Sequence, residues 1–174
     1  MAARPKLPER FVGVGQLPWH DILKDGRLMF QRQFLGRSAG ATQFGASLYL
    51  IPPGGQLWTY HYHHAEEEAI YVLEGKGSVR LPAGKTALQA GDYLALPVGP
   101  DGAHLVLADA GEPLRLLAVS TLHDIDVVSH PDSGKIGVFS RQPLKTSDGK
   151  AVKRMFLHTD SPVSIWSGEK EDHS

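Results

Sequence analysis

Short β-rich runs, each closed by Gly, Pro or Asp, follow one another along the middle of this chain, and no long segment carries apolar residues at i, i+3, i+4 and i+7. The runs cover 46–51, 57–63, 68–75, 77–82, 92–97, 104–109 and 113–120, with further strands predicted at 124–129 and 136–140. Turn chemistry separates them: "PPGG" at 52–55, "EGKG" at 74–77, "PAGK" at 82–85 and "PVGPDG" at 97–102. Consecutive short antiparallel strands in this rhythm predict an all-β sandwich or barrel. Residues 1–40 are less regular and are expected to form an N-terminal arm packing on a barrel at 41–140, with "WHDILKDG" at 19–26 either a short helix or extended. A C-terminal extension, 141–174, is expected to be partly flexible. Its basic run, Arg141, Lys145, Lys150, Lys153 and Arg154 against the single acid Asp148, reads as a solvated loop, and its last residues, "SGEKEDHS", as a frayed polar terminus.

Composition narrows the functional classes. A formal net charge of -1 gives no sequence-wide positive field to collect nucleic-acid phosphates. With no cysteine, any metal must be held by His and carboxylate. The basic start "MAARPKLPER" is followed by no apolar core of a signal peptide, and no apolar stretch is long enough to span a bilayer, so a soluble cytoplasmic protein without a membrane partner is expected.

One segment carries most of the chemistry, "YHYHHAEEEAIYVLEGKG" at 60–77. Residues two apart on a strand point to the same face, so His61 and His63 can converge on one ion. An antiparallel return through "EEAIYVLEG" can bring a glutamate beside them, either Glu67 or Glu68. Alternation groups Glu68 with Ile70 and Val72, the set that reads more naturally as the interior. His104, which opens the run at 104–109, is a plausible third nitrogen. Three imidazoles and one carboxylate suit a divalent transition metal such as Zn, Fe, Mn or Ni. His64 reads as a rim residue, and His20, His123, His130, His158 and His173 as structural or exposed, since none has a partner at ligand spacing. Arg80 and Arg115 read as solvent-face charges. No phosphate cradle precedes a helix and no Gly-x-Ser-x-Gly is present.

The order Gly55, His61, His63, Glu68, Gly75 resembles the first motif of the cupins, and Gly91, Pro97, Gly99, His104 resembles the second. Four residues, "PDGA", separate Gly99 from His104 where the family pattern has two, and the family's later Asn falls at Ala108. The flanks also look like those of single-domain bacterial cupins of undefined activity. The resemblance implies a cupin-type β-barrel or jelly roll, a metal held by His61, His63, Glu68 and His104, and a small-molecule ligand or substrate. It also implies a homodimer. The functional expectation is a metal-dependent enzyme of isomerase, dioxygenase or decarboxylase type, with Glu67 as the base an isomerase would need. The alternative is a non-catalytic ligand-binding or sensory cupin.

Overall fold

The computed structural model describes residues 9–145, 150–165 and 167–168. His173, the "SGEKEDHS" terminus except Ser167 and Gly168, and Asp148 of the basic run lie outside the described residues. Thirteen strands form two antiparallel sheets among those described. The first sheet contains β1 (His20–Lys24), β2 (Arg27–Phe34), β3 (Phe44–Ile51), β10 (Leu114–Thr121), β5 (Glu68–Glu74) and β8 (Tyr93–Leu96), in that spatial order. The second runs β13 (Ala151–His158), β12 (Lys135–Lys145), β11 (Ile125–His130), β4 (Gln56–His63), β9 (His104–Ala108), β6 (Lys76–Leu81) and β7 (Gly84–Gln89). This is the jelly-roll arrangement that the strand rhythm and the resemblance predict. Among the described residues the one α-helix, Leu35–Ser38, is a single turn, and no helix is long and apolar enough to cross a membrane.

Alternation places the core between the sheets. Ile51, Ile70, Val72, Leu114 and Leu116 from the first sheet meet Leu57, Val79, Val106 and Ala108 from the second, all buried in one cluster. Removing each large aliphatic side chain from water contributes about 1.5–3 kcal/mol. Toward one end of this core the inward positions turn polar, through Glu68 on β5 and His61 and His63 on β4. The barrel is therefore closed by apolar packing below and by ionisable groups above.

Residues 20–34, expected within an arm, form a hairpin that extends the first sheet through pairing of β2 with β3. The hairpin turn is Asp25–Gly26, both at positive φ (51° and 77°), with Lys24 opposite Arg27. An Asp-Gly pair is suited to such a two-residue turn, whose twist matches that of the flanking strands. Residues 84–89 form β7, a strand the sequence pattern did not pick out, returning antiparallel to β6 from the turn at Pro82 and Ala83. The basic run is strand at both described ends, in β12 and β13, and not a loop.

Candidate metal centre

The first two histidines come from β4, whose course is irregular. Leu57 faces Val106 and His61 faces His104, so four steps along β4 match two along β9. The surplus is taken up around Trp58, which has φ 55° and packs edge-on against Phe30 with ring centroids 4.6 Å apart. A bulge of this kind re-aims the side chains that follow it. Because the surplus is even, Leu57 and His61 both keep the inward face, and His63 follows two residues on.

His104 is delivered by the long turn. Three of its four residues coil into a 3₁₀ turn at Pro100–Gly102, Ala103 follows in extended conformation, and β9 begins at His104 directly opposite His61. Gly99 sits at φ 86° and donates its N–H to the His63 carbonyl at 2.7 Å, tying the turn to the histidine strand. A Cβ on Gly102 would overlap the Pro97 carbonyl. The lengthened turn is thus absorbed without moving His104 away from the pair.

Glu68 approaches from the opposite sheet. Its Oε2 lies 3.3 Å from His63 Nε2 and 3.6 Å from His104 Nε2. The ring centroids of His61 stand 5.2 Å from His63 and 4.5 Å from His104. Potential ligand atoms of His61, Glu68 and His104 all fall within 4.8 Å of one another. Three of the four residues that the sequence nominated as ligands thus share one cluster, and the fourth, His63, touches it through Glu68 while its own close group is with Glu66 and Asp126. Glu67 is exposed and belongs to neither metal-compatible group; its backbone is bound to Thr121 on β10, and alternation at the start of β5 turns it away from Glu68.

Each imidazole is held through its other nitrogen. His61 Nδ1–H donates to the Thr59 carbonyl at 2.7 Å, and His104 Nδ1–H to the Gly102 carbonyl at 3.0 Å. His63 Nδ1–H donates to Asp126 Oδ2 at 2.5 Å. Carbonyl and carboxylate oxygens only accept, so these bonds keep the proton on Nδ1 and leave Nε2 as the free lone pair. Burial, reinforced by the nearby His104 and His63, lowers His61 to about 3 against the opposing Thr59 carbonyl. Burial also lowers His104, although Glu68 and the Gly102 carbonyl act the other way. His63 differs: burial pulls it down, but the Asp126 hydrogen bond and the charges of Glu68, Asp126 and Glu66 outweigh this and raise it. The neutral His61 and His104 nitrogens beside the Glu68 carboxylate fit a divalent ion of intermediate hardness.

Three contributors escaped the sequence reading. Asp126 on β11 is buried, and besides His63 it accepts the Ala65 amide at 2.9 Å. Burial would raise its pKa, yet the His63 contact and the Ala65 and Glu66 amides hold it below the ordinary value. Glu66 joins His63 and Asp126 in a second metal-compatible group. Burial raises its pKa despite a hydrogen bond from the His123 amide. His130, read as structural or exposed, stacks on His61 with centroids 5.9 Å apart and planes 22° from parallel. Its Nδ1 contacts Thr59 Oγ1 at 2.9 Å, while its buried Nε2 has no hydrogen-bond partner among the described residues. Asp126, Val128 and His130 alternate on one face of β11, which was visible; that this face lies against β4 was not.

A jelly roll with histidines from one sheet and a glutamate from the other, gathered at one end of the core, defines a cupin-type site. The cupin domain profile matches residues 47–120. An uncharacterized protein of Methanocaldococcus jannaschii is 30% identical over 99 residues, covering 57% of this chain and 76% of that one. Among solved structures, a cupin-superfamily sugar phosphate isomerase from Silicibacter pomeroyi superposes with a TM-score of 0.73 at 22% identity, covering 89% of this chain and 97% of that one. A putative sugar phosphate isomerase from Acidithiobacillus ferrooxidans gives 0.72 at 24% identity, with 90% and 97% covered. The polyketide cyclase RemF of Streptomyces resistomycificus gives 0.56 at 23%, with 71% and 81% covered. The chain belongs to the cupin superfamily.

Proposed function

We propose that this cupin is a metal-dependent enzyme acting on a small molecule, with His61, His63, Glu68 and His104 as the metal ligands. The observation that carries the reading is the set of Nδ1 hydrogen bonds to Thr59, Asp126 and Gly102, which leaves three Nε2 lone pairs beside one carboxylate. A divalent ion held there would supply Lewis acidity toward a bound substrate oxygen. On the other side of His63, Glu66 is a carboxyl of raised pKa lining a cavity shared with His63 and Asp126, which suits taking or giving a proton at its carboxylate oxygens. It is better placed for this than the exposed Glu67. Proton transfer beside a Lewis acid favours the isomerase or decarboxylase class over a dioxygenase.

Elemental analysis of purified protein, with His61→Ala and His104→Ala variants alongside, tests the ligand set. The wild type is expected to retain about one transition-metal ion per chain, and each variant to lose at least about 100-fold in affinity. A wild type that takes up no transition metal under any loading condition overturns the reading. A substrate screen of metal-loaded and metal-stripped protein then tests catalysis: turnover is expected only with metal. Metal and ligand binding without turnover would instead support a binding or sensory protein.

A further inference from the structure

Beyond His63, on the side away from Glu68, the structure contains a cavity of about 460 Å³. Its lining includes His63, Glu66 and Asp126 together with Arg141, Lys153 and Arg154, the last three from the segment that reads in sequence as a solvated loop. The sheet register explains the juxtaposition. Asp126 is paired with Phe139, and Phe139 with Arg154, so one row crosses β11, β12 and β13 at this level. Immediately beyond, Leu144 pairs with Val152, so five steps on β12 match two on β13. This bulge carries Arg141 and opens the ladder where the cavity lies.

The charges in this cavity are unevenly satisfied. Asp126 is engaged by His63 and the Ala65 amide, and Glu66 by the His123 amide. Among the described residues no ion pair involves Arg141, Lys153 or Arg154. Arg141 is positioned by its Nη1 donating to the Thr42 carbonyl at 2.7 Å, which leaves further guanidinium donors. In a chain of formal net charge -1, three cations without an ion pair among the described residues thus line a single cavity beside His63, one of the proposed metal ligands. Guanidinium and ammonium groups together match the geometry and charge of an oxyanion.

We infer that this cavity is the substrate pocket and that Arg141, Lys153 and Arg154 form an anion subsite for a phosphate or carboxylate group of the substrate. The inference deepens the enzymatic reading and rests on it for the word substrate; the anion subsite itself is independent of the metal. The anion would be held at the β12–β13 wall, and the rest of the molecule would extend toward His63 and Glu66.

The test is calorimetric titration of inorganic phosphate and, separately, malonate into metal-free wild type and a Lys153→Ala/Arg154→Ala variant. Both side chains are exposed, so the variant is expected to keep the wild-type melting temperature. Wild type should bind at least one of the two anions, with affinity falling as salt rises, and the variant should bind it at least tenfold more weakly. Lys153→Arg, which keeps the positive charge, should bind the anion within about threefold of wild type, whereas Lys153→Ala should bind it more weakly. Preference for phosphate identifies a phosphomonoester as the ligand chemistry, and preference for malonate a carboxylate; either supports the subsite. Equal anion affinity in wild type and variant, or no binding of either anion by wild type, overturns it. A parallel metal titration separates the two readings: anion binding that depends on Lys153 and Arg154 in a protein unable to bind metal upholds the subsite and sinks the metal centre.

Discussion

His63 stands between two regions built in different ways. On its Nε2 side, His61, Glu68 and His104 form a tight, mostly buried group whose imidazoles are oriented by carbonyls only two residues away in sequence. On its Nδ1 side, the cavity is assembled from β11, β12 and β13, and its key contact, His63 to Asp126, joins residues 63 positions apart. The first region is locally encoded and stiff. The second is a product of long-range strand pairing and of a bulge, the kind of feature that changes with register and insertion. With the proposed metal ligands on the stiff side and the proposed anion subsite on the variable side, one could be altered without rebuilding the other.

The strongest way to break the stiff side is through its turn. Gly102→Ala puts a Cβ into the Pro97 carbonyl, which is backbone and cannot swing aside. The turn must move, and the Gly102 carbonyl that orients His104 moves with it. A loss of about 3 kcal/mol or more in stability is expected, together with weakened metal binding, measured by denaturant unfolding and metal titration. A variant with unchanged stability and affinity would show that the turn is softer than the packing implies. Gly99→Ala has open space around its Cβ, and its cost is expected to be the smaller one of its positive φ.

The link between the regions is probed by Asp126→Asn. Asn keeps the shape but offers one acceptor oxygen where Asp126 uses two, one for His63 and one for the Ala65 amide. Metal affinity is expected to fall about 10- to 100-fold, the usual effect of removing a group that orients a metal-binding histidine. Affinity unchanged within twofold would mean that His63 is oriented by packing alone.

The same contrast decides what was legible in the sequence. Period-two alternation sorted Glu68 from Glu67, and His61 and His63 from their neighbours, because strand geometry fixes those relations over a few residues. The turn before His104 departed from its family's spacing, yet its Pro, Asp and Gly content is what a 3₁₀ turn ending at a strand needs. Asp126, His130, Lys153 and Arg154 were present in plain view but carried no partner within reach. Their meaning depends on β11 pairing with β4 at Val128 opposite His63, a two-residue contact in the described register that no local pattern specifies. The β1–β2 hairpin was a different omission, since Asp25–Gly26 is a local turn signal and extended strands flank it.

The mildest test concerns proton competition on the stiff side, in metal-free protein. His61 titrates near its ordinary 6.5 in the unfolded chain but at about 3 when folded. Below 6.5 the unfolded state therefore binds a proton that the folded state refuses, and stability falls as pH decreases until about 3. Between pH 7.5 and 5.5 this one residue should cost about 1.4 kcal/mol. His104, also lowered, acts in the same direction. His63 acts oppositely: with its folded pKa raised, its contribution is fully present below 6.5 and is lost as pH rises through the folded value. Comparing wild type with His61→Asn by denaturant unfolding at the two pH values isolates the first effect, because the variant lacks the titrating group. A wild-type minus variant stability difference that is the same at both pH values would show that His61 is hydrated and protonates freely, and with it that the inner group is as open to water as the cavity beyond His63.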